Sequence, residues 1–166
     1  MKKVFSLLCA LMFCAMSFAQ ADAAPTIPVG QMAPEIAMPT LKGDVVKLSD
    51  MKGKFVVVDF WASWCGDCRR ETPALVELYK EYNPKGVEFL GVSFDTEAEK
   101  MTAAVEKYQI PWTQVSELKK WKETEIDKVY QLKWIPSFYI ICPEGKVVGF
   151  ATTAEGVKET LAKVIK

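Results

Sequence analysis

A chain of 166 residues, half of them hydrophobic, is long enough to bury one core and suits a single domain. Its 21 basic and 21 acidic residues cancel, which excludes the strongly basic surface of a nucleic-acid binder. It contains no histidine, so proton transfer near neutral pH falls to a carboxylate.

Lys2 and Lys3 precede an apolar stretch over residues 4–18, followed by the small residues Ala19, Ala21, Ala23 and Ala24. A basic start, a short apolar run and small residues form a secretory signal peptide. The run is shorter than the ~20 residues that span a bilayer, which disfavours the alternative of an uncleaved anchor. Leu8 and Phe13 are bulky where a lipidation signal before Cys9 or Cys14 needs a small residue. We expect residues 1–21 to be signal peptide, 22–27 a spacer and 28–166 the folded domain. Losing Lys2 and Lys3 leaves 19 basic against 21 acidic residues, a net charge near −2.

The rest alternates strand and helix patterns, which implies a largely parallel sheet covered on both faces. Strands are expected at residues 45–48, 54–60 and 87–93, with a further short one starting near Trp112. Helices are expected at residues 68–82, with Pro73 kinking it, and at 97–108, 126–132 and 155–165. Residues 137–141 and 146–150 flank Pro143-Glu144-Gly145 and read as a hairpin.

Between the strand at 54–60 and the helix that follows lies Trp64-Cys65-Gly66-Asp67-Cys68. Cys65 falls at a helix N-terminus, where unpaired N–H groups and the helix dipole favour a thiolate. A thiolate is the reactive form of cysteine, and a second cysteine three residues on can close a disulfide with it. The competing reading, half of a zinc site, needs two further ligands. With no histidine and only Cys142 as a third mature cysteine, such a site needs carboxylates or a second chain. Redox chemistry is therefore favoured and no metal is expected. Cys65 leads the helix and reads as the nucleophile, and Cys68, a turn inside, as the resolving thiol. Cys142 ends an apolar strand and reads as a buried, inert thiol.

The segment Val57-Val-Asp-Phe-Trp-Ala-Ser-Trp-Cys-Gly-Asp-Cys68 resembles the active-site segment of the thioredoxin superfamily. Gly30-Gln-Met-Ala-Pro34, Pro73, Ile135-Pro136 and Pro143-Glu-Gly145 also fall where that family has counterparts. The whole mature chain resembles the TlpA/ResA-like secreted bacterial thiol–disulfide oxidoreductases. The resemblance implies an α/β thioredoxin-like fold. In it a central mixed β-sheet is flanked by helices, with an insertion between the long active-site helix region and the cis-proline.

It further implies reduction of disulfides in exported client proteins of the periplasm, with electrons from a membrane thiol carrier and no cofactor. The resemblance places two acids near the thiols. Asp59 matches a buried aspartate beneath the site, and Glu71, three residues after Cys68, matches a glutamate of the ResA-like branch. A carboxyl desolvated by the core has its pKa raised toward the range useful for taking the Cys68 proton. Ile135-Pro136 matches the cis-proline, whose backbone neighbour Ile135 is free to pair with an extended substrate. Trp64 is expected to offer an apolar contact and Trp61 to pack beneath the site.

Asp67, where thioredoxin has proline, opposes a thiolate at Cys65 and points to a reductant. Arg69 and Arg70 are expected to face solvent. The alternative functions are a disulfide oxidase or isomerase and, less favoured, a thiol peroxidase. Peroxiredoxin-type sites use Pro-x-x-x-Thr-x-x-Cys, and Val58 and Ala62 stand at those proline and threonine places. A non-enzymatic binding module would be expected to lack one cysteine of the pair. The sequence does not indicate the oligomeric state.

Overall fold

The computed structural model describes residues 25–165, so the expected signal peptide and its cleavage point lie outside the described residues. In chain order the elements are β1 (Ala37–Pro39), β2 (Val45–Lys47), β3 (Phe55–Trp61), α1 (Gly66–Tyr82), β4 (Val87–Ser93), α2 (Ala98–Tyr108), β5 (Thr113–Ser116), α3 (Glu125–Tyr130), β6 (Ser137–Ile141), β7 (Val147–Ala151) and α4 (Ala154–Val164). Short 3₁₀ turns occupy Leu48–Met51, Asn83–Lys85 and Trp121–Glu123.

The main sheet runs β5-β4-β3-β6-β7. Strands β3, β4 and β5 are parallel, whereas β6 is antiparallel to β3, and β7 to β6. The sheet is therefore mixed, as the family resemblance implies, rather than largely parallel, because the chain returns through the β6–β7 hairpin. In β3 the residues from Val56 to Trp61 are all buried, and all of β6 is buried. Burial of successive residues means that both faces of these strands are covered. One covering layer is α1 packed on α4, whose Ala154, Val157 and Leu161 turn inward. From α1 come Cys68, Thr72, Leu75, Val76, Leu78 and Tyr82. The helix continues unbroken through Pro73.

The structure differs from the sequence reading at several edges. α1 starts at Gly66, two residues before the expected position, because the Cys65 side chain itself caps it. β1 was not expected: it is three residues long, ends in Pro39, and buries one residue, leaving no alternation to read. It pairs antiparallel with β2 in a separate small sheet.

The segment ahead of β1 pairs with the turn before β7 and with its first residue, Val147. Gly30 N donates to Val147 O (2.8 Å), Val147 N to Gln31 O (2.8 Å) and Ala33 N to Gly145 O (2.9 Å). Gly30 turns onto that edge at φ +95°, which only glycine adopts freely.

Between α1 and Ile135 lie β4, α2, β5 and α3. Thr124 caps α3 by accepting from Asp127 N. The buried Asp127 carboxylate accepts from Trp121 Nε1 (2.8 Å), and Lys122 Nζ donates to Leu132 O (2.6 Å). These contacts fix the start of the loop that leads to Ile135.

Candidate active site

β3 ends at Trp61 and α1 begins at Gly66, so residues 62–65 lie at the carboxyl ends of the parallel strands. Functional groups collect there in open α/β sheets. Cys65 and Cys68 form a disulfide, with Cα atoms 5.3 Å apart. Cys65 is the N-cap of α1, and its Sγ accepts from Cys68 N at 3.1 Å. Sulfur thus occupies the acceptor place usually held by a Ser, Thr or Asp oxygen. On reduction, the same N–H group and the helix dipole stabilise a Cys65 thiolate. Cys65 keeps 7% exposure and Cys68 2%.

The Ile135-Pro136 peptide is cis, and Ile135 O lies 3.6 Å from Cys65 Sγ. Trp64 is 54% exposed beside the disulfide. Trp134, one residue before Ile135, is 52% exposed and was missed in the sequence. Trp61 is buried, and its Nε1 donates to Gln114 Oε1 at 2.8 Å. The Gln114 amide lies where a Cβ on Gly91 would be, so a larger residue at that position of β4 would displace the amide from Trp61.

Asp59 sits within β3, hydrogen-bonded in register with Gly91 and Phe138, and is 4% exposed. Burial without a counter-charge pushes its pKa up to about 8. Its carboxyl is therefore mostly protonated at pH 7. Glu71 is placed differently: its Oε2 accepts from Ala154 N at 2.7 Å, at the first residue of α4. That carboxylate satisfies one of the orphan N–H groups of α4 and joins α1 to α4.

A model of the AhpC/TSA family matches residues 29–150. The thiol-disulfide oxidoreductase ResA of Bacillus thuringiensis subsp. konkukian is 32% identical over 138 residues, covering 83% of this chain and 77% of that protein. The ResA of Oceanobacillus iheyensis is 33% identical over 126 residues, but this chain spans only 61% of its length. The thioredoxin domain of a thiol-disulfide oxidoreductase from Bacteroides vulgatus superposes with a TM-score of 0.78 at 35% identity. That match covers 85% of this chain and all of that one. The chain belongs to the AhpC/TSA family, as a ResA-like thiol–disulfide oxidoreductase.

Three features of this oxidoreductase go beyond the sequence reading. Arg69 and Arg70 are exposed, as expected, but Arg70 also pairs with Asp67, and Arg69 Nη1 reaches back to Ser63 O at 3.4 Å. Side chains three or four residues apart on a helix are neighbours, and both arginines fold toward the first turn. Cys142 is half-buried rather than buried, and lines a cavity of about 120 Å³ with Met32, Lys52 and Ile141. Ile141 pairs with Val56 at the start of β3, whereas Cys65 lies beyond its end. Five strand residues separate those levels by roughly 17 Å, so Cys142 cannot reach the disulfide.

The third feature is Asp95, which the sequence reading passed over. It is 1% exposed and accepts from both Ser63 N (2.9 Å) and Ser63 Oγ (2.6 Å), two residues before Cys65. An acid just past the end of a parallel strand, beside the motif strand, was the available signal.

Proposed function

We propose that the domain reduces disulfides in exported client proteins through the Cys65/Cys68 dithiol. The observation that carries this reading is Cys65 Sγ at the head of α1, within 3.1 Å of a helix N–H and 3.6 Å of Ile135 O. The Cys65 thiolate attacks one client sulfur, forming a mixed disulfide and releasing the second client sulfur as a thiolate that takes a proton. Cys68 then loses its proton and attacks Cys65 Sγ. The client leaves with both electrons, and the Cys65–Cys68 disulfide forms.

Asp59 takes the Cys68 proton. With its pKa raised to about 8, only the ionised minority of that carboxyl accepts the proton at pH 7, and the transfer gains as pH rises toward 8. Glu71, one turn along α1 from Cys68, is the second acid of the path, anchored in this disulfide form by Ala154 N–H. Trp64, Ile135 and Pro136 receive the client: the indole offers an apolar face, and the Ile135 backbone is free of partners among the described backbone hydrogen bonds. A membrane thiol carrier regenerates the dithiol.

The basic start, short apolar run and small residues of the N-terminus support export to the periplasm. In this reading residues 1–21 are removed, 22–27 form a spacer, and 28–166 act as a soluble domain. Among the described residues no helix is long and apolar enough to cross a membrane.

The oxidase or isomerase reading gains one observation. Arg70 offsets the Asp67 charge that opposes a thiolate. Equilibration of the mature domain with glutathione decides between them. A potential near thioredoxin's (about −270 mV) is expected, and one above about −180 mV assigns oxidation or isomerisation instead. The peroxidase reading has less support, since Val58 and Ala62 are buried apolar residues at the places of the proline and threonine.

A further inference from the structure

Asp95 follows β4 by two residues and carries a carboxylate with almost no solvent. A carboxylate in that position costs stability unless donors surround it. Here three do: Ser63 N, Ser63 Oγ and Ser93 Oγ, the last at 2.8 Å. Two of the three belong to the residues that lead into Cys65. The remaining contacts brace Asp95 itself. Its N–H donates to Ser93 Oγ (3.0 Å), and Ser116 Oγ, at the end of β5, donates to Ser93 O (2.9 Å). Phe94 N donates to Trp61 O at 2.9 Å, joining the end of β4 to the end of β3. The ends of three adjacent parallel strands are thus tied together, and the loop before Cys65 hangs from the tie.

That loop has few other restraints. Cys65 N donates to Ala62 O at 3.2 Å, and Arg69 makes a long contact to Ser63 O. Trp64 between them stands in solvent. An apolar residue of similar size at 95 would serve the core as well as a buried charge does. What it could not do is accept both Ser63 donors at once.

We propose that Asp95 is a positioning residue for thiol–disulfide exchange, holding Ser63 so that Cys65 Sγ stays at the head of α1 and against Ile135. Releasing Ser63 lets Cys65 and Trp64 leave the arrangement from which Sγ attacks, and the fraction of productive encounters falls. The inference rests on exchange at Cys65 and not on its direction.

The test measures single-turnover reaction of the reduced mature domain with an aromatic disulfide, 5,5′-dithiobis(2-nitrobenzoate), alongside thermal unfolding. The variants are Asp95→Asn, Ser63→Ala and Ser63→Thr, with Glu35→Ala as a control. Glu35 accepts from Ile36 N and Ser49 N and lines the Cys142 cavity, at the far end of the sheet. Losing a hydrogen bond to a charged group is worth about a factor of ten. Asp95→Asn and Ser63→Ala should each slow the reaction about tenfold. Ser63→Thr, which keeps the hydroxyl, should restore the rate to within about threefold of wild type. Glu35→Ala should lower the unfolding temperature with the rate within about twofold.

Folded Asp95→Asn and Ser63→Ala proteins reacting at the wild-type rate would overturn the proposal. If Asp95→Asn does not fold, Ser63→Ala, which removes one hydroxyl from a half-buried residue, decides alone. A wild-type domain that fails to react would instead sink the exchange reading itself.

Discussion

Asp59→Asn separates what the buried carboxyl does for the fold from what it does for the reaction. Its pKa rises from 3.8 to about 8 in the folded chain, for lack of any partner to offset burial. Between those values the native state holds a proton that the unfolded state has lost. Stability therefore falls as pH rises from about 4 to 8, with slope 2.303RT per proton. Each unit is worth 1.36 kcal/mol, so the loss relative to low pH reaches about 4 kcal/mol at pH 7 as an upper bound and levels off above pH 8. Asparagine has the same shape and no proton to lose. The variant should be more stable than wild type at pH 7, by up to that amount. It should lose the decline of stability with pH, and should slow client reduction, because no group remains at 59 to take the Cys68 proton. Urea unfolding of the oxidised protein from pH 5 to 9 measures the first effect, and single-turnover reduction the second. Parallel unfolding profiles for wild type and variant across that range would refute the burial argument.

Four further outcomes follow from the site. Cys65→Ser should abolish disulfide reduction while Cys68→Ser accumulates mixed disulfides with clients, read on non-reducing gels; the reverse pattern exchanges the two roles. Glu71→Gln should cost ~0.5–1 kcal/mol of stability through the weakened contact to the α4 N-terminus and should also slow the resolving step, and an unchanged rate by stopped flow assigns Glu71 to the α1–α4 junction alone. Asp67→Asn should lower the pKa of reduced Cys65 and Arg70→Ala should raise it, as thiolate absorbance against pH would record; equal values in both variants would show that the pair does not reach the sulfur. Mass spectrometry of exported protein should find an N-terminus near Asp22, and retention of Met1 would establish an anchor.

The legible parts of the fold are those where one local signal dominates. The apolar run of β3, the Cys-x-x-Cys behind it and the spacing of Leu75, Val76 and Leu78 needed no partner to be read. β4 and β6 were legible for the same reason. β1 was not, since its three residues, of which only Met38 is buried, gain their conformation only from pairing with β2. The site divides along the same line. Cys65 and Cys68 are neighbours in sequence, and Asp59 lies one strand back. Asp95, Gln114 and Trp134 sit on three separate segments that meet only through strand register and the turn before β6. The Arg70–Asp67 pair was within reach of the i,i+3 rule, but rotamers decided it.

The strap that residues 30–33 lay against the start of β7 has a further meaning if the proposed clients present extended segments. A bare strand edge is a template on which any extended chain can add itself. Here the start of β7, at Val147, is occupied by the strap, and the β1–β2 hairpin stands beside β5 at the other end of the sheet. Under the proposed function, a client segment that seeks backbone partners finds them at Ile135, next to the sulfur, and fewer of them along the flanks. Covering part of each edge thus biases encounters toward contact at one address.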